Sequence, residues 1–275
     1  MSNFAITDAL QSRHLPSVIA QSAQRTGVDF QYLIAQAELE SGMRPDAKAQ
    51  TSSATGLYQF IDQTWLGLVR EKGDKYGLGW AQSAIARHGN GRLTVADNAQ
   101  KTSILALRNN PEISANLAGE FARDNRAYLE QKTGRQPESV DLYLAHFLGP
   151  AGAAKFLNSM DGNPDAPAAP SFPKAARANR NIFFSRAGQP QSFQAIRDGF
   201  AQKLSDAVER VGSGNGLPIH GKDLPATANA SGTVQPADYL RIAQAHANDQ
   251  NITNGSKPFS EQARAAYLML ATLGM

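Results

Sequence analysis

The sequence predicts an all-α fold. Apolar residues recur at three- and four-residue spacing through most of the chain up to Val211, Pro and Gly sit where such segments begin and end, and period-two alternation is weak throughout. The first helix is expected from Asp8 to Arg25, closed by Gly27, and the second from Phe30 to Gly42. Others follow from Ile61 to Gly73, Trp80 to His88 and Ala96 to Asn109. Pro111 suits the first turn of a helix running to Thr133, with Gly134 just past its end. Two more are expected over Val140 to Phe147 and Gly149 to Met160.

Residues 1–185 read as the main domain. Near its end "DGNPDAPAAPSFPKAARANRN" is rich in Pro and Ala and reads as a surface wrap or an exit from that domain. Residues 186–211 hold an amphipathic helix from Ser192 to Val211, with Phe193, Ile196, Phe200 and Leu204 on one stripe, packing on the main domain or leading out of it. Residues 212–234 are polar and Gly/Pro-rich, as a flexible linker is. Residues 235–275 carry two short helices, near Pro236 to Asn248 and Ser260 to Leu273. That pair is too small to support its own core, so it reads as an interaction region.

The 275 residues are 41% hydrophobic and 19% charged, the balance of an ordinary globular chain. A net charge of +3 gives no argument for nucleic acid, although an isoelectric point near 9.1 would not repel a polyanionic envelope. With no cysteine, disulfides, thiolate metal sites and a cysteine nucleophile are excluded. The five histidines (His14, His88, His146, His220, His246) show no metal-binding spacing, so no metal and no cofactor are expected. "GNGR" and "GSGNG" are turn and linker chemistry rather than phosphate cradles. No run approaches the ~20 apolar residues of a membrane span. The N-terminus shows no basic region followed by an apolar run, so no secretory signal is expected there.

The informative stretch is Ala37 to Phe60, "AELESGMRPDAKAQTSSATGLYQF". Phe30, Leu33, Ile34 and Ala37 form one stripe of the preceding helix, and Tyr32, Ala35 and Leu39 form another, so the helix is buried on both sides. Two glutamates end it. Glu40 nearly eclipses Leu33, and Glu38 follows Ile34 by one turn; periodicity does not choose between them. Loss of solvent and the negative end of the helix dipole both favour a carboxyl that keeps its proton, as a general acid must. The competing reading is a salt bridge to Arg44 or Lys48.

"ELESG" followed by "ATGLYQF" resembles the paired motifs of the lysozyme-like lytic transglycosylases of the soluble (SLT) type. Glu40-Ser41 matches the Glu-Ser at a helix end, and Gly56-Leu57-Tyr58-Gln59 the Gly-Leu-x-Gln block after a polar loop. Ala145-His146-Phe147-Leu148-Gly149-Pro150 approximates the third block, Ala-Tyr-Asn-Ala-Gly-Pro-Gly, with His146 where that family has its tyrosine. The likeness covers roughly Asp8 to Met160. It implies a lysozyme-like helical domain, with the segment beyond it as a small helical extension.

The resemblance also implies a reaction. Its substrate would be the glycan strands of peptidoglycan, cleaved between N-acetylmuramic acid and N-acetylglucosamine by Glu40 alone, without cofactor, and left with 1,6-anhydro ends. Ser41 would orient Glu40 or the sugar's acetamido group, Gly56 would let the chain approach the sugar, and Gln59 and Tyr58 would contact it. His146 would hydrogen-bond near the carboxylate, or Tyr143, a turn earlier, would supply the hydroxyl. The periplasm or cell envelope is the expected location. The tail would suit a partner in an envelope machine such as a flagellum, a secretion system or a phage particle. The alternatives are a hydrolytic lysozyme and a glycan-binding assembly protein without activity.

Other candidates read as structural. Asp46, Asp62 and Asp74 are the acids available as a hydrolase base, and Asp62 reads better as an N-cap or early-turn residue of the next helix. Glu120 reads as a member of charge pairs on a long helix, and Phe60 and Trp65 as core. Trp80, an available sugar platform, reads as packing.

Overall fold

A computed structural model of the chain describes residues 3–50 and 52–215. The expected tail helices, and the linker beyond Asn215, lie outside the described residues. The fold is all-α, with ten α-helices and one two-stranded hairpin among the described residues. The first helices are α1 (Asn3–Thr26), α2 (Phe30–Ser41), α3 (Asp62–Lys72) and α4 (Gly79–Ala84). The hairpin pairs β1 (Ile85–Arg87) with β2 (Leu93–Val95), and α5 (Asn98–Ala106) follows. Then come α6 (Pro111–Thr133), α7 (Ser139–Gly162), α8 (Pro173–Ala178), α9 (Arg180–Phe183) and α10 (Phe193–Asn215). None of the described helices is long and apolar enough to cross a membrane.

The described chain divides into two compact units. One takes in residues 3–49, 53–121 and 206–215; the other takes in 122–205 with 50 and 52. The first is built on α2, where Tyr32 through Ala37 are all buried, as a helix apolar on both sides must be. Asp29 starts α2 by accepting from the Tyr32 amide at 3.0 Å, and Gly42 ends it in the left-handed conformation at φ 60°. Phe60 packs its ring against Trp65 and Phe121, with centroids 5.7 and 6.3 Å apart. Trp65 is fully buried and donates its indole N–H to the Ile104 carbonyl at 2.8 Å. The second unit packs Phe156 edge-on to Phe193, with Phe172 beside both.

Four expectations need correction or refinement. The helix expected over Trp80–His88 ends at Ala84, and Ile85 enters the hairpin instead, paired with Val95. Branched Ile85, Thr94 and Val95 favour the extended pairing, and Gly91, at φ 81°, closes the turn between the strands. Trp80 is only partly packed: it is 47% exposed on the six-residue α4. The two helices expected on either side of Leu148 run on as α7 with a break at Gly149, whose φ 72° and ψ 159° precede Pro150. α10 extends to Asn215, past Gly212 where a linker is expected.

Candidate active site

The two glutamates that periodicity could not separate have different surroundings. Glu38 pairs with Arg210 at 3.1 Å and stays partly exposed. Glu40, in the last turn of α2, is 1% exposed. Arg44 and Lys48, the cations nearest to it in sequence, and Asp46 are all exposed. Ser41 is buried, donates its hydroxyl to the Ala37 carbonyl at 2.9 Å and accepts from the Arg44 amide at 3.1 Å. Its hydroxyl hydrogen therefore bonds back into α2, and its oxygen holds the chain leaving the helix.

After α2 the chain runs irregularly to Ile61, held by a small set of bonds. Gly56 donates its amide to the Ala47 carbonyl at 2.7 Å, and the Gln59 side-chain amide donates to the same carbonyl at 3.0 Å and to the Gly56 carbonyl at 2.9 Å. Both N–H groups of that side chain are thus engaged with the loop that carries it. Gly56 has φ 85°, and a Cβ there would lie 2.1 Å from the Arg108 carbonyl oxygen. The close approach that demands glycine is to Arg108, within the protein, and not only the approach to a sugar that the resemblance implies. Among the described residues, the non-glycine residues with positive φ are Met43 (59°) and Gln59 (49°), one on each side of this loop. Backbone strain of this kind clusters at functional sites.

Tyr58 departs from the expected stacking role. It is fully buried beside Phe60, with ring centroids 6.4 Å apart. Burial, and secondarily the neighbouring Tyr32, pushes its hydroxyl well above the usual tyrosine range. A ring so enclosed packs the loop onto the core.

Tyr143 and His146 lie in the second unit, on α7. Their rings stack at 5.9 Å, both are buried, and Tyr143 also meets Phe200 edge-on at 5.4 Å. The structure therefore groups Gly56 and Gln59 around one loop next in sequence to Glu40 and Ser41, and separately groups Tyr143 with His146. Asp62, in the first turn of α3, places its carboxylate 2.9 Å from Arg108 Nη1. Asp74 is exposed. Glu120 is buried and accepts from the Tyr76 hydroxyl at 2.8 Å, with Lys75 Nζ at 3.4 Å.

A buried glutamate at a left-handed helix end, followed by a strained loop built on glycine and glutamine, can be set against known families. Residues 17–78 match the transglycosylase SLT domain. The SLT segment runs from within α1 to just before α4 and contains Glu40, Ser41 and the Gly56–Gln59 block. The match is consistent with the lysozyme-like lytic transglycosylase family and its helical fold, and it ties the segment to peptidoglycan and to the cell envelope.

Arg108 is the residue that sequence reading missed. It is 6% exposed and lies outside the SLT segment. Its Ser53 and Phe60 acceptors lie 55 and 48 positions earlier, so no local pattern marks it.

Proposed function

We propose that the chain is a peptidoglycan lytic transglycosylase in which Glu40 is the one catalytic carboxyl group. The observation that carries this reading is the withdrawal of Glu40 from solvent at the end of α2, inside the SLT segment. A general acid transfers its proton to the departing oxygen as the glycosidic bond breaks, and the helix end fixes the place of the carboxyl. Glu40 gives its proton to the departing oxygen of the N-acetylmuramic acid–N-acetylglucosamine β-1,4 linkage. The substrate's own acetamido oxygen supports the developing cation, in place of a second protein carboxylate. Glu40, now ionised, takes the proton from the C6 hydroxyl as that oxygen closes onto C1, giving the 1,6-anhydro end without water.

The other nearby acids support the single-carboxyl reading. Asp62 is engaged with Arg108, and Asp46 and Asp74 are exposed. The place of action is the periplasm or cell envelope, and residues 235–275 are the segment for an envelope-machine partner.

The test is digestion of purified sacculi followed by mass spectrometry. Wild type is expected to release anhydromuramyl ends; products heavier by one water would make it a hydrolase. Glu40→Gln is expected to keep the fold and glycan binding while turnover falls by about 10³-fold or more. A wild type without turnover, or a variant as active as wild type, ends the proposal.

A further inference from the structure

We infer that Arg108 is a positioning residue for this reaction: it fixes the loop 53–60 at its start, middle and end, and so sets the geometry of the Gly56–Gln59 block of the SLT segment. The inference rests on the reading of Glu40 as the acid. Arg108 Nη1 donates to the Ser53 carbonyl at 2.7 Å and to the Phe60 carbonyl at 2.9 Å, the first and last residues of that loop. Its backbone carbonyl occupies the space where Gly56 would carry a Cβ, in the middle of the loop. Nε donates to the Leu105 carbonyl at 2.9 Å, which locks the guanidinium to the turn it comes from. Asp62 Oδ1, 2.9 Å from Nη1, balances the charge at the point where the loop enters α3.

A cation spent largely on carbonyl oxygens is an unusual use of a buried arginine, and its acceptors explain it. Irregular backbone withdrawn from water must have its carbonyls satisfied, and a guanidinium anchored by Nε at the Leu105 carbonyl holds Nη1 against both ends of the loop at once. Lysine has no second nitrogen for the Leu105 carbonyl, so its ammonium, on a flexible stem, is not held in place against Ser53 and Phe60. The residue held under tension is Gln59, at φ 49°, whose side chain ties Ala47 to Gly56. Release of either loop end lets that conformation relax. A displacement of about 1 Å at such a site costs about 10²-fold in rate.

The test compares Arg108→Lys and Asp62→Asn with wild type in the full chain. Amide hydrogen exchange in residues 53–60, circular dichroism and steady-state turnover on sacculi are read on the same preparations. Arg108→Lys is expected to stay folded, to exchange at least tenfold faster in the loop, and to lose about 10²-fold in kcat with a smaller change in KM. Asp62→Asn keeps all the carbonyl bonds and is expected to lose less than tenfold. Wild-type loop protection in Arg108→Lys overturns the inference, and so does a kcat per folded molecule equal to that of wild type. If wild type itself shows no turnover, the function proposed above fails, and loop exchange with binding of purified glycan strands decides this inference alone. Faster exchange with weakened binding then supports it, and unchanged values overturn it.

Discussion

Arg108, in the first unit, is a buried cation that donates to three carbonyl oxygens beside one carboxylate; Asp141, in the second, is a buried anion surrounded by cations and an amide. Asp141 is fully buried and accepts from Arg197 Nε at 2.8 Å, from Arg135 Nη1 at 3.1 Å and from the Glu138 amide at 3.0 Å. The last bond closes a capping box with Glu138, so the carboxylate starts α7. Arg108 starts no helix, and its acceptors are spread along a loop. The difference teaches what each cluster is for. An anion at a helix beginning supports regular structure, while a cation threaded through carbonyls supports backbone that has no ladder of its own.

The sharpest way to break this comparison is Asp141→Ala. Removing one partner of a buried ionic cluster leaves the others uncompensated, at about 3–5 kcal/mol. Urea unfolding is expected to show that loss, while turnover per folded molecule stays at the wild-type level. Stability within about 1 kcal/mol of wild type would mean that the Asp141 cluster does not hold the second unit together. A fall in kcat per folded molecule would erase the distinction from Arg108.

What the sequence made legible follows the same division between local and distant partners. The bounds of α2 and α6 were readable because Asp29, Gly42 and Pro111 act on their own neighbours. The acidic helix end was readable from the quoted motif, but the choice of Glu40 over Glu38 was not settled by periodicity. The resemblance to Glu-Ser chose Glu40, while the pairing of Glu38 with Arg210, 172 residues away, had no local signal. Half of the Asp141 cluster had a local signal in the Glu138-x-x-Asp141 spacing, and the Arg197 half had none. Arg108 had none either. The β1–β2 hairpin was missed because its apolar residues fit a short helix equally well, and cross-strand pairing decided the matter. Tyr58 stands in the motif like a sugar contact, but its burial is a property of the packed fold.

A smaller effect sharpens the contrast within the first unit, where Tyr58 serves the loop by packing and Arg108 serves it by hydrogen bonds. The Tyr58 hydroxyl is held well above its ordinary value near 10 by burial and then by Tyr32. The unfolded chain ionises this group near pH 10, and the folded chain keeps the proton. The stabilisation is therefore fully present below about pH 10 and is lost as pH climbs beyond it. Tyr58→Phe keeps the ring packing at neutral pH and is expected to flatten the alkaline part of the stability–pH curve. An unchanged alkaline slope in the variant would assign that slope to other tyrosines and lysines.

The smallest effect is expected at Trp80, and its value lies in the contrast with Trp65. Trp65 is fully buried, bonded to Ile104 and in ring contact with Phe60, whereas Trp80 is 47% exposed. Trp80→Leu keeps an apolar side chain over the half of the site that folding withdraws from water but removes the ring, so unfolding free energy is expected to change by no more than about 1 kcal/mol. A loss above about 2 kcal/mol in urea unfolding would show that the indole itself is packed on α4. With stability so little changed, the same variant also reads out sugar contact cleanly. An indole face open to solvent is a surface on which a pyranose can stack. A fall in affinity for purified glycan strands would then report a lost contact rather than a damaged fold, a separation that no substitution at Tyr58 can provide.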